Sequence, residues 1–155
     1  MIDPETVTDR DVYLTRAFHA PRALVWRFWT EPVLLSQWFG PDGFSTPIEH
    51  IEIDLRVGGV WNLAMRDDAT GEMYPLRADI VELVPEELLV GVAHAESDLG
   101  DMDGITLRVQ FHDHGDLTRV TLHQGPFTPE QRTATATGWE MSFVKIDALV
   151  GAGTE

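Results

Sequence analysis

The sequence contains no cysteine, which excludes disulfide cross-links, thiolate nucleophiles and cysteine-ligated metal centres at the outset. Basic charge is scarce: eleven Lys and Arg stand against 26 Asp and Glu, for a formal net charge of −15, and Lys145 is the one lysine. That balance argues against nucleic acid or an anionic membrane surface as a partner. Long apolar runs are missing as well, and no window approaches the roughly 20 residues of a membrane span. Residues 1–10 are acidic and polar and lack the apolar stretch of a secretory leader. The expectation is an acidic cytoplasmic protein with no membrane insertion. Its 155 residues suit one domain with a real core, read as 11–150, with a loose lead-in at 1–10 and a short tail at 151–155.

Turn and cap residues divide the chain. Alternation over Val12, Leu14 and Phe18 predicts a strand ending near His19. Pro21 suits the first position of a helix, where its missing N–H is not needed, and Leu24, Val25, Phe28 and Trp29 then recur at helical spacing. Thr30 is placed to cap a second short helix that turns Leu34, Leu35 and Trp38 inward and stops at Gly40-Pro41 and Asp42-Gly43. From Ser45 to His123 the period changes to two. Five or six strands of an antiparallel meander are expected, with Ile51, Ile53 and Leu55 in the first of them and turns at Gly58-Gly59, Asp67–Gly71, Pro85-Glu86-Glu87 and His112–Asp116. An acidic loop runs from Glu96 to Gly104.

Thr128-Pro129-Glu130-Gln131 is a capping box, and a long helix should follow to about Val150. On it Thr135, Trp139, Phe143, Ile146 and Val150 share one face. The residues ahead of Trp139 are small: Thr133, Ala134, Thr135, Ala136, Thr137 and Gly138. A helix front of this kind either leaves volume unfilled against a concave sheet or lets the helix approach closely.

Strand, two short helices, meander and long C-terminal helix is the order of an α+β helix-grip fold. Within that order stand Ala20-Pro21 with Val25-Trp26 and Trp29-Thr30 leading to Pro32, then Gln37-Trp38-Phe39-Gly40-Pro41. Asp54-Leu55-Arg56, Gly58-Gly59, Trp61, Gly71 with Tyr74, Pro85–Val90 and Gly138-Trp139 complete the pattern. In these residues the chain, from about 12 to 150, resembles the family named for the C-terminal domain of the activator of the Hsp90 ATPase (AHSA1-like), within the START-like (SRPBCC, Bet v 1-like) superfamily. It departs at Ala78, where the family usually has glycine, and after Gly138-Trp139, where the family is leucine-rich. The resemblance implies a curved sheet wrapped around the last helix, with a cavity between them that takes apolar or amphipathic small molecules. It implies no shared catalytic set and no cofactor. Direct Hsp90 activation is not expected, because the activator carries a further N-terminal domain.

The expected cavity wall comprises Trp38, Phe39, Trp61, Met65, Tyr74, Val109, Phe111, Trp139 and Phe143. Strand parity groups Trp61 with Met65 and Val109 with Phe111. The five tryptophans can equally be core anchors; Trp26, Trp29 and Trp139 read first as core, while Trp38 and Trp61 stand between the two roles. An alternative is a cavity enzyme of cyclase, hydrolase or dehydratase type, with His50, His94 or Glu52 as acid or base; His123 is a further strand histidine. A third reading is a protein-interaction module or a homodimer. His112-Asp113-His114 has ligand spacing, but the same residues make an ordinary hairpin turn, and no metal is expected. Gly58-Gly59 lacks the lysine and following helix of a phosphate loop and reads as a tight turn.

Overall fold

The computed structural model describes residues 8–95 and 102–153, with the side chains of the last three left aside. Strand β1 (Val12–Phe18) leads to helices α1 (Arg22–Thr30) and α2 (Pro32–Leu35). The meander comprises β2 (Phe44–Ser45), β3 (Glu52–Ile53), β4 (Val60–Asp67), β5 (Met73–Val84), β6 (Leu88–Ala95), β7 (Met102–His114) and β8 (Leu117–Gly125). Helix α3 (Pro129–Gly153) closes the chain. All pairings are antiparallel, in the order β1-β8-β7-β6-β5-β4-β2, with β3 also on β4. The curved half-barrel wraps α3, which is the helix-grip fold. No helix among the described residues is long and apolar enough to cross a membrane.

The meander has more and shorter pieces at its start than the alternation of Ile51, Ile53 and Leu55 predicts. Only Glu52 and Ile53 pair with β4, and Leu55 lies in the turn that follows. That turn is built by backbone: Asp54 N–H donates to the Val60 carbonyl at 2.8 Å, and Gly58 N–H to the Ile80 carbonyl at 2.9 Å. Gly58 sits at φ +86°, and a Cβ on Gly59 would collide with the Asp54 carbonyl oxygen, so both glycines are dictated by geometry. Asp54 and Arg56 pair at 2.8 Å. The expected acidic loop lies outside the described residues from Glu96 to Asp101, and its last part, Met102 to Gly104, belongs to β7.

Around the first helices two expectations change. Pro21 is the residue before the helix, extended at ψ 152°, and Thr30 does not cap α2. Thr30 closes α1, its hydroxyl donating to the Trp26 carbonyl at 3.0 Å. The last carbonyls of a helix have no partner within it. Here two indoles supply the donors: Trp38 Nε1–H reaches the Phe28 carbonyl and Trp61 Nε1–H the Trp29 carbonyl, each at 2.8 Å.

The dense part of the core lies between α1, the sheet and the second half of α3. Trp29, fully buried, stacks on Trp139 (centroids 5.5 Å apart, planes at 21°) and contacts Trp38 at 4.8 Å and Phe111 at 6.0 Å. Phe143 meets Phe18 edge-on at 5.5 Å. An ion pair between Arg16 and Asp147 ties α3 to β1. The capping box is formed as expected, Gln131 N–H donating to Thr128 Oγ1 at 3.2 Å and Thr128 N–H to Gln131 Oε1 at 3.1 Å.

At the start of β1, Asp11 Oδ2 pairs with His123 Nε2 at 3.0 Å and accepts from Thr8 N–H at 3.0 Å. Burial raises the Asp11 pKa, but these bonds and the His123 charge outweigh it and hold the carboxyl below its ordinary value. A depressed carboxyl stabilises the fold above its unfolded pKa, near 4, and ceases to do so as pH falls through the folded value. Asp11→Asn should therefore lower the melting temperature at neutral pH, with the difference from wild type shrinking below about pH 4; parallel thermal melts across that range check it.

Candidate functional site

The front half of α3 does not pack flush on the sheet. Between them lies a cavity of about 360 Å³, partly open to solvent. Met65 of β4, Leu76 of β5, Ala95 of β6 and Met102 of β7 form its sheet side, while Ala134, Thr135, Gly138 and Trp139 line it from the helix. Phe39 to Pro41 and Phe44 close one flank, and Phe127 and Gln131 the end where the helix begins.

Two physical causes keep this space empty. The Arg132 Nε–H bond to the Asp11 carbonyl at 2.7 Å and the Arg16–Asp147 ion pair tie both ends of α3 to β1 and the residue before it, which sets the height of the helix over the sheet. The residues facing the sheet along its front are too small to fill the gap. A Cβ built on Gly138 meets nothing within 4 Å. A glycine inside a helix costs about 1 kcal/mol relative to alanine, so Gly138→Ala should raise stability by about 0.5–1 kcal/mol, measurable as a shift in denaturant midpoint. A flat or lowered midpoint would mean that the helix backbone at 138 is packed more tightly than the geometry shows.

The loop from Gln37 to Pro41 is clasped to α3. Ser142 Oγ accepts from Gly40 N–H at 3.1 Å and donates to the Gly138 carbonyl at 2.9 Å, while Lys145 Nζ donates to the Gly40 carbonyl at 2.8 Å. Gly40 adopts φ +111°, a value that only glycine takes without strain. The one lysine of the chain thus holds the cavity flank to the helix.

Of the nine residues expected on the wall, Phe39, Met65, Tyr74 and Trp139 line the cavity. Trp38, Trp61, Val109, Phe111 and Phe143 are not among its lining residues; all are buried in the core behind it. For Trp38 and Trp61 the reason is the demand of the α1 carbonyls for donors, which draws each indole away from the space. Val109 and Phe111 point inward as parity requires, but at a level of β7 covered by α1, where Phe111 contacts Trp26 at 5.1 Å. Phe143 is one turn too far along α3 and fills the space beside Phe18.

The acid and base candidates do not meet in the cavity. His50 is exposed in a 3-10 turn (Ile48–His50) rather than a strand, and Glu52 is exposed on β3 beside Asn62. His94 points to the outer face of the sheet, where it pairs with Asp103, and His123 pairs with Asp11 on that same face. Among the described residues no His, Asp, Glu, Lys or Arg lines the cavity. His112 bonds Thr121 across the hairpin at 3.4 Å, and burial, then the charges of Arg119 and His114, lower its pKa. Among the described residues no group of three or more ligating side chains is placed to hold a metal.

Polar groups outside the expected wall also line the cavity. Gln124, Gln131 and Ser142 are buried and reach it. For Gln124 a signal exists: it continues the inward parity of Val120 and Leu122, so a polar side chain stands where the alternation calls for an apolar one.

A cavity between a long C-terminal helix and a curved antiparallel sheet, lined among the described residues by uncharged side chains, defines a helix-grip protein. Residues 19–151 match the family described as Activator of Hsp90 ATPase homolog 1-like protein, and the chain belongs to that family. Solved structures agree with the fold. Protein CV1439 from Chromobacterium violaceum is 23% identical, with TM-score 0.80 over 92% of this chain and 98% of its own. Protein NE0264 from Nitrosomonas europaea is 25% identical, with TM-score 0.77 over 96% and 99%. CalU16 from Micromonospora echinospora is 20% identical, with TM-score 0.62 over 88% and 73%. No curated protein matches the sequence significantly.

Proposed function

We propose that the protein binds one neutral, largely apolar small molecule in the cavity beneath the front of α3. The observation that carries this reading is the 360 Å³ space, to whose wall the described residues contribute no charged side chain. Burying a ligand charge there without a partner would cost far more than the apolar contacts return. The volume is at the lower end of the range for ligand sites, about 300–1,000 Å³. It suits one or two fused rings or a short chain, and excludes a sterol or a long acyl chain as a fully enclosed guest. Phe39, Met65, Tyr74 and Trp139 would touch the ligand. Trp38, Trp61, Val109, Phe111 and Phe143 would support those contacts from behind.

The neutral dye prodan, a two-ring ketone whose emission moves to the blue in apolar surroundings, tests the reading. Titration should give a saturable blue shift at a stoichiometry of one. Emission that stays at its aqueous position at high protein concentration would remove the basis of the proposal.

A further inference from the structure

The polar end of the cavity includes a buried amide, that of Gln124. Gln124 is 8% exposed and lines the cavity from β8. Its cross-strand neighbours Val12 and Leu107 are both buried and hold its side chain between them. Trp139 Nε1 lies 2.7 Å from the amide, at the atom assigned as Oε1. An indole N–H can only donate, so the amide atom facing it must be oxygen; the choice of amide orientation, ordinarily open, is closed by chemistry. The Nε2 group therefore points away from the indole, and among the described residues it has no hydrogen-bond partner. The Nε2 group is not sealed from solvent but borders the partly open cavity. A guest that displaces water there without supplying an acceptor leaves it unpaired at a cost, and a guest with an acceptor avoids that cost.

We infer that Gln124 is a specificity-determining residue, presenting its Nε2–H to a ligand acceptor such as a ketone, ester, ether or amide carbonyl. Trp139 acts as a positioning residue that fixes which half of the amide faces the cavity. Its stacking on Trp29 at 5.5 Å, 21° from parallel, fixes the indole in turn. The selected ligand class is neutral ring compounds bearing an acceptor. Hydrocarbons of the same shape bind without this bond. The inference rests on the cavity-binding reading above.

Two probes separate the inference from that reading: 2-acetylnaphthalene and 2-ethylnaphthalene, close in shape and differing by one carbonyl oxygen. Affinities are measured by amide chemical-shift titration on wild type and Gln124→Met, with thermal melts on both. In wild type the ketone should move the Gln124 side-chain NH₂ resonances downfield and the hydrocarbon should not. Gln124→Met should weaken the ketone about tenfold relative to the hydrocarbon, the size of one neutral hydrogen bond. If both probes bind and neither the resonance shift nor the affinity ratio responds, the role of Gln124 is overturned and the cavity reading stands. If neither probe binds wild type, both fall. Should Gln124→Met fail to fold, the wild-type NH₂ resonances decide alone.

Discussion

Gly138→Trp is expected to fold as stably as wild type and to lose prodan binding by on the order of 100-fold or more, about 2.8 kcal/mol. The position allows this separation because its Cβ direction is open and leads into the cavity. Replacing glycine inside a helix removes a propensity penalty of up to about 1 kcal/mol. The indole then occupies the volume the ligand would take, so binding falls while the fold keeps its anchors in the second half of α3. Denaturant melts and prodan titrations on one preparation check both halves of the result. Retained binding in a stably folded variant would place the dye elsewhere.

The opposite outcome is expected at Trp29, where Trp29→Ala should cost about 3–5 kcal/mol. Total stability of a domain is about 5–15 kcal/mol, so this variant lies near the threshold of unfolding at room temperature. The size follows from what the indole joins. It contacts Trp38 and Phe111, stacks on Trp139, and lies 6.4 Å from Phe143, linking α1, α3, β7 and the loop after α2. The indole N–H itself is buried without a partner among the described residues. Trp29→Phe should therefore be far milder than Trp29→Ala, since it keeps an aromatic ring and deletes that orphan donor. Equal losses for the two variants would contradict the stacking account. Urea denaturation of the two variants beside wild type reads the difference.

These two positions also show what the sequence made legible. The capping box at Thr128, the inward face of Trp139, Phe143, Ile146 and Val150, and the turn at Pro85-Glu86-Glu87 between β5 and β6 follow from local chemistry, and each forms as the pattern requires. The small residues before Trp139 marked the place where packing and empty space were both open. Sequence could not choose, because the answer depends on how far the fixed ends of α3 hold the helix from the sheet.

Site residues were harder to read for a related reason. Aromatic side chains beside glycines look alike whether they face a ligand or satisfy a helix end. Trp38 and Trp61 are drawn to the α1 carbonyls across 10 and 32 residues of sequence, a tertiary demand with no local trace. Gln124 was legible in principle, as a polar residue in inward phase on β8. Its meaning emerges only when the Trp139 indole, 15 residues away, fixes the orientation of its amide.

The central claim is that a neutral guest sits between the front of α3 and the open end of the sheet. Intermolecular nuclear Overhauser contacts between 2-acetylnaphthalene and methyl-labelled protein test it most directly. The predicted contacts are to Met65, Met102 and Ala134, with none to Val90, which faces the outer side of the sheet. Contacts confined to that outer face, or none at saturating probe, would contradict it.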